Sequence, residues 1–356
     1  MLFTIEKPDT PGIYWLDRVL STFFQNLFAE QAYDNGIFPA EFIPVLEDSA
    51  VTYGNFRDVH KTYNELELED RQSFQAIYNN HRNLIRNLAD ENYQVTKPTE
   101  ALSDIWTAVK ALGVYLYQTT INLACYKNLP HVNDNMSDHF AAFKTTNGKV
   151  CCFCGMEFYE AEREINEDNG EVQWRASYDH YLYKKQYPLN SVDFDNLFPC
   201  CHPCNEKAKD QKDIAHNENQ RVPAFHPYLD AEVASVEVTY SPQNRRWTVA
   251  LPPGNTLLNK KIQNWDRIFL VTSRASRLIN DSFEETWFAP VALGKTNATE
   301  IRYVVQGMSV ICNERVRVER EAYYKAKCFQ IIFGASDAEL EVMTATVNDL
   351  YAGRVI

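Results

Sequence analysis

The chain lacks the features of a membrane-spanning or disordered protein. No uninterrupted apolar stretch reaches the roughly 20 residues a bilayer span requires. Glycine is scarce, at 12 of 356 residues, and neither an internal repeat nor a Gly/Ser-rich linker occurs, which excludes repeat arrays and flexible tethers. The opening run MLFTIEKPDTPG meets an acid, a lysine and two prolines before any apolar run, so no export signal is expected and the expected location is cytoplasmic. Positive charge is also short. With 35 Lys and Arg against 48 Asp and Glu, the net charge of −13 should repel phosphate.

The acidic excess is not uniform. Residues 1–147 carry 11 basic against 19 acidic side chains and residues 148–230 carry 9 against 15, whereas residues 231–356 carry 15 against 14. Any footing for nucleic acid must therefore be local, lie in the last third, or come from a partner. The basic set Arg245, Arg246, Lys260, Lys261, Arg267, Arg274 and Arg277 could track a phosphate backbone or could be ordinary solvated surface.

At this length two or three structural units are expected. Three-and-four spacing of Phe74, Ile77, Tyr78, His81, Leu84, Ile85 and Leu88 predicts a helix, as does that of Leu102, Ile105, Trp106, Val109, Leu112 and Leu116 behind a possible Thr99 cap. His81 sits on an apolar stripe and reads as a packed histidine rather than a ligand. Segment 130–149, with Pro130, several Asn and Asp residues and Gly148, breaks the pattern and marks a boundary. Alternation at Val236, Val238, Tyr240 and Trp247, Val249, Leu251 predicts a hairpin. Helices follow around 256–288, 312–333 and 337–351, with Gly334 ending one and Ser336 with Glu339 forming a capping box. The expected fold class is α+β and mostly helical: a helical region 1–147, a cysteine module 148–230, and a hairpin-plus-helices region 231–356.

What is abundant is cysteine at short spacing. Six of nine cysteines fall in two clusters, Cys151, Cys152, Cys154 and Cys200, Cys201, Cys204; Cys125, Cys312 and Cys328 stand alone and read as small buried hydrophobes. Cys151-x-x-Cys154 and Cys201-x-x-Cys204 supply two knuckles for a tetrahedral Zn²⁺. Cys152 and Cys200 are alternative ligands, and His202 is a further one. The outer registers are preferred because a two-residue gap matches knuckle spacing and Gly155 follows the first pair.

Between and after the knuckles come Asp179-His180, Asn196-Leu197-Phe198-Pro199 and Asn205. The run DHYLYKKQYPLNSVDFDNLFPCCHPCNEKAKD resembles the HNH endonuclease motif, over about residues 149–212. The resemblance implies a ββα-metal fold in which D-H closes the first strand, N-L-x-P lies in the second and C-x-x-C-N opens the helix. It implies phosphodiester hydrolysis with His180 as general base, Asn196 orienting its imidazole, and Asp179 and Asn205 holding a catalytic divalent ion, Mg²⁺ or Mn²⁺. The cysteine zinc would be structural. Tyr183 stands where the family often has proline, Asn205 where it often has histidine, and Ala208, between Lys207 and Lys209, where it has a lysine. Glu206 could add a carboxylate, and His226 could pack beside the site. DNA is the expected substrate ahead of RNA. The embedding of the motif resembles HNH effectors of bacterial anti-phage defence of the Septu type, which implies a protein partner such as an ATPase subunit; restriction of modified DNA and homing are the alternative roles. The competing reading is a zinc-stapled adaptor without catalysis.

Overall fold

The computed structural model describes residues 1–352 apart from 131, 133, 161, 167–170, 175–176 and 296. Residues 353–356, the end of the expected third region, lie outside the described set.

Helices dominate, with small two-stranded antiparallel sheets among them. The first stretch carries α1 (Trp15–Phe28), α2 (Ile43–Asp48), α3 (Ala50–Asn64), α4 (Leu68–Leu84), α5 (Ser103–Gln118), α6 (Ala124–Lys127) and α7 (Met136–Asn147). In α1, Leu16, Val19, Leu20, Phe23, Phe24 and Leu27 repeat every three or four residues and are all buried, the condition for one helix face to enter a core. That core is aromatic. Phe23 stacks on Phe38 and meets Phe56 edge-on at 4.8 Å, while Phe24 and Phe28 pack on Tyr78 of α4.

The helices expected at 74–88 and 102–116 correspond to α4 and α5. Thr99 does not cap: it precedes a one-turn 3-10 helix, Glu100–Leu102, without a capping bond, and α5 starts at Ser103. His81 is 3 % exposed, with Nε2 at 2.8 Å from the Thr96 carbonyl, a packed histidine. The break expected over 130–149 is shorter than that: it ends at Met136. Asn135 and Asp138 cap each other's backbone and launch α7, which ends at Gly148, so the same Asn and Asp residues act as a helix start.

The middle stretch holds β1 (Glu162–Asn166) paired with β2 (Glu171–Trp174), then β3 (Tyr178–His180) antiparallel to β4 (Leu197–Pro199) in the register Tyr178↔Pro199, Asp179↔Phe198, His180↔Leu197. Pro203–Lys209 follows as a short π-helix, then β5 (His216–Asn217) with β6 (Gln220–Arg221). The expected hairpin is β7 (Glu237–Ser241) and β8 (Arg246–Ala250), with Val238 opposite Val249 and Tyr240 opposite Trp247.

Helices α8 (Leu257–Phe269) and α9 (Val271–Ser282) are separated at Leu270, whose φ of 52° breaks the single helix expected across 256–288. A π-helix at Phe283–Phe288, α10 (Ala289–Ala292), α11 (Ala298–Glu314), α12 (Ala322–Phe333) and α13 (Asp337–Ala352) complete the chain. The helix expected from 312 is thus two helices. Ser336 and Glu339 do form the capping box, with Ser336 N at 2.8 Å from Glu339 Oε2 and Glu339 N at 3.3 Å from Ser336 Oγ. Gly334 ends α12 with right-handed backbone (φ −85°), not the left-handed form that favours glycine.

One buried apolar cluster runs through all three expected regions, so the cysteine module is not packed apart from its flanks. Asp17 of α1 takes both Arg82 guanidinium nitrogens at 2.7 and 2.6 Å, and Arg82 also donates to the Leu189 carbonyl. Gly113, mid-way along α5, lets that helix approach the same loop: a Cβ there would stand 2.4 Å from Ser191 Oγ and 2.7 Å from the Pro188 carbonyl. Helix propensity alone favours Gly113→Ala by about 1 kcal/mol. The clash should reverse the sign and give a net loss of about 1–3 kcal/mol in urea unfolding; a stabilised Gly113→Ala protein would show that the loop yields.

Candidate metal centre and active site

The first knuckle folds because Gly155 takes φ +68°, which lets its N–H return to the Cys151 carbonyl at 2.8 Å while Met156 N–H points at Cys154 Sγ at 3.4 Å. The second is the turn into the π-helix, where Cys204 N–H and Asn205 N–H both donate to the Cys201 carbonyl at 3.0 Å. Together they bring the thiols of Cys151, Cys154, Cys201 and Cys204, all buried, within 4.8 Å of one another. The Cys154–Cys201 sulfur separation is 3.8 Å. A ZnS₄ tetrahedron with bonds of about 2.3 Å has edges of about 3.8 Å, so the site fits a structural metal such as zinc.

Burial opposes ionisation of all four thiols, yet hydrogen bonds among neighbouring thiols hold Cys151 well below its ordinary value and Cys204 at about 6. The cysteines are free thiols, as ligation requires. Cys152 and Cys200 are not among the four converging thiols, although the Cys200 thiol interacts with those of Cys151 and Cys204; the backbone of Cys152 is engaged by Leu2 N–H and Tyr159 Oη, and Cys200 N–H donates to the Ser177 carbonyl. His202 points elsewhere, its Nδ1 at 3.4 Å from Glu206 Oε1 on the exposed side of the turn. That contact also turns Glu206 outward. Arg274 donates to Cys204 Sγ at 3.2 Å, a charge no spacing rule would have assigned to the cluster.

Strand β3 carries Asp179 and His180 beside the cluster, both buried. Asp179 Oδ1 accepts from Lys209 Nζ at 2.7 Å, and the same ammonium donates to the His180 carbonyl at 2.8 Å. Both side chains are almost fully enclosed, at 1 % and 2 % exposure. Asp179 Oδ2 is buried without a partner among the described residues. Burial raises the Asp179 pKa, and Lys209 opposes the rise. Lys209 had been expected only as a neighbour of the phosphate-contact position. Winding explains its role: Asp210 N–H donates to the Asn205 carbonyl five residues back, and the extra residue per turn brings Lys209 to β3.

The His180 ring is set from both sides. Its Nε2 lies 3.0 Å from the Ser191 carbonyl, which can only accept, so Nε2 carries the proton and Nδ1 the lone pair. The Tyr117 ring of α5 packs edge-on at 4.3 Å, with Lys184 Nζ over the other part of that ring. Burial lowers the imidazole well below its ordinary value, and Lys184 adds to the shift.

Asn196 does not hold the imidazole directly. Its Oδ1 accepts from Leu182 N–H at 2.6 Å, and its Nδ2 donates to the Leu182 and Asn190 carbonyls at 3.1 and 3.0 Å. Its whole amide is spent closing the loop between β3 and β4. The loop in turn presents Ser191 to His180, so Asn196 acts through backbone. Asn205 donates from Nδ2 to Ser177 Oγ and the Tyr178 carbonyl, which leaves Oδ1 as an acceptor. The orphaned Asp179 Oδ2 and this amide oxygen are hard donors, the kind Mg²⁺ takes beside water and phosphate. They fit such an ion in kind, while Lys209 already serves the other carboxylate oxygen.

His226 packs edge-on against Phe198 of β4, and its ring nitrogen accepts from Tyr228 N–H. The expected phosphate track is largely spent internally: Arg245 pairs with Glu284, Lys260 with Glu91, buried Lys261 with Asp230, and Arg267 holds the Asp213 and His216 carbonyls.

Two outcomes follow. Elemental analysis should find about one zinc per chain, falling when Cys201 or Cys204 is replaced by Ser, because removing one thiolate opens a closed tetrahedron. Lys209→Met should cost about 3–5 kcal/mol of unfolding free energy, since it leaves a buried carboxylate unpaired, and Asp179→Asn in the same chain should restore much of it. A loss below about 1 kcal/mol would mean that another cation serves Asp179.

No protein-family model matches the chain, and no curated protein or solved structure does.

Proposed function

We propose that the protein is a metal-dependent HNH endonuclease that hydrolyses phosphodiester bonds, in DNA ahead of RNA. One observation carries the reading: β3 bearing Asp179 and His180 pairs with β4 behind Asn196, and the second cysteine knuckle then runs into a helical turn, Pro203–Lys209, that carries Asn205. Strand, strand and helix in that order around a four-thiol cluster is the arrangement the motif calls for. A divalent ion at Asp179 and Asn205 would supply positive charge to a phosphate oxygen. The chain's own residues supply the rest. His180 offers Nδ1 to the proton of an attacking water because Ser191 fixes the tautomer, and Tyr117 fixes the ring plane. Asn196 holds the loop on which that tautomer depends. The acidic chain and its internally paired arginines fit delivery to nucleic acid by a partner, in keeping with a defence effector working beside an ATPase.

A second reading, a zinc-stapled adaptor without catalysis, is favoured by the buried Lys209–Asp179 pair, which already neutralises the carboxylate. Incubation with supercoiled plasmid and with RNA, with and without Mg²⁺ or Mn²⁺, separates the two. The nuclease reading expects metal-dependent cleavage that drops by about 10²-fold or more in His180→Ala. Equal inertness of wild type and variant with every metal, and with any co-encoded ATPase present, would sink it and leave the adaptor.

A further inference from the structure

The outer edge of β3 is closed by side chains rather than by another strand. β4 takes the inner edge, so the Tyr178 and His180 carbonyls, two residues apart and directed to the same side, face the helical turn Pro203–Lys209. Asn205 Nδ2 donates to the first at 3.3 Å and Lys209 Nζ to the second at 2.8 Å. The same ammonium donates to Asp179 Oδ1 at 2.7 Å. Lys209 thereby takes a carboxylate oxygen and a backbone carbonyl, the donor types that a hard divalent cation also uses.

An ion on the other carboxylate oxygen, Oδ2, would set three positive charges against one carboxylate. The Lys209 and Asp179 side chains are only 1 and 2 % exposed, so water could not screen that repulsion. Negative charge from the thiol cluster reaches Asp179 through Cys151, but Arg274 and any cation held by the thiols answer it. The turn that delivers Lys209 is itself strained. Asp210, which closes it by donating its N–H to the Asn205 carbonyl, sits at φ 46° and ψ −115°, a backbone region that residues with a side chain avoid. π-Winding is rare, and rewinding the segment as α-helix carries Lys209 round the axis, off the edge of β3. Asn205, fixed by Ser177 and Tyr178 near the start of the turn, need not move.

We propose that Lys209 is a lock on the metal site: its ammonium and a divalent ion are alternative partners of Asp179, and the ion is admitted only when the turn Pro203–Lys209 releases the lysine. The inference rests on the nuclease reading for the place of the ion and names the regulation of that same site. An ammonium suits the part. It keeps a buried carboxylate paired, which an empty site would not, yet it carries one charge where the ion carries two, and once released it regains water. The pair that favours an adaptor without catalysis is, on this account, the resting form of a hydrolase.

Manganese binding to the full chain tests the lock, read from the loss of the free Mn²⁺ signal in electron paramagnetic resonance. Mn²⁺ stands at the weak end of the divalent series, so metal held by the thiols stays in place. Lys209→Met should bind Mn²⁺ at least about 10-fold more tightly than the wild type, and adding Asp179→Asn to that variant should abolish the gain. Mn²⁺ should also raise the unfolding temperature of Lys209→Met and leave that of the wild type unmoved at the same concentration. Equal affinity of wild type and Lys209→Met, or a gain that survives Asp179→Asn, would overturn the proposal. Should Lys209→Met not fold, the wild type decides. Lys209, at 1 % exposure, should resist acetylation by an amine reagent, and Mn²⁺ at concentrations that saturate the wild type should raise its labelling by about 10-fold or more, while K⁺ at equal ionic strength does not. Unchanged labelling overturns the lock. Tight Mn²⁺ binding by Lys209→Met without cleavage of any nucleic acid would sink the nuclease and keep the lock; metal-dependent cleavage by a wild type whose Mn²⁺ affinity Lys209→Met leaves unchanged would do the reverse.

Discussion

The convergence of four buried thiols on one point is the constraint on which most of this molecule hangs. The two knuckles are tied to distant parts of the chain by hydrogen bonds to their backbone and sulfur atoms. Leu2 N–H donates to the Cys152 carbonyl, Trp265 Nε1 to the Phe153 carbonyl at 2.9 Å, and Tyr324 Oη to the Cys154 carbonyl at 2.8 Å. Glu321 N–H caps the Gly155 carbonyl, and Arg274 reaches Cys204 Sγ. The first residues and the C-terminal helices therefore meet on the cluster rather than beside it. A cation bound there would neutralise ionisable thiols that are gathered in a low-dielectric core, which would couple its binding to folding.

Around that centre the β3–β4 loop converts packing into orientation. Arg82, itself clamped by Asp17, holds the Leu189 carbonyl; Asn190 donates to the His81 carbonyl; Asn196 closes the loop on Leu182. Each bond is made by a buried or part-buried polar group that would be costly if unpaired. Their joint effect is to aim one carbonyl, that of Ser191, at one imidazole nitrogen. A histidine set in this way has a defined tautomer, which is what a proton acceptor needs and what a merely packed histidine need not have.

Charge is handled by compartment. Most basic residues of the C-terminal third are consumed by carboxylates and carbonyls, which removes the simple picture of a positive track. Three lysines without a carboxylate partner among the described residues, Lys97, Lys110 and Lys185, line a cavity beside α5.

The sequence by itself determined the outer-register cysteine pairs as metal-ligand candidates, the α4 and α5 stripes, the β7–β8 hairpin and the Ser336–Glu339 cap. These depend on contacts within a few residues, where spacing is geometry. It made the break at 130–149 too long, because Asn and Asp break one helix and start another with equal ease. It could not divide 256–288 at Leu270 or see that Asn196 works through Ser191. It also could not pair Lys209 with Asp179, thirty residues away and reached only through a π-wound turn. Those outcomes, like the lysine-rimmed cavity, come from residues brought together across the chain, and the energy that decides them is the burial of polar and charged groups, which no local pattern encodes.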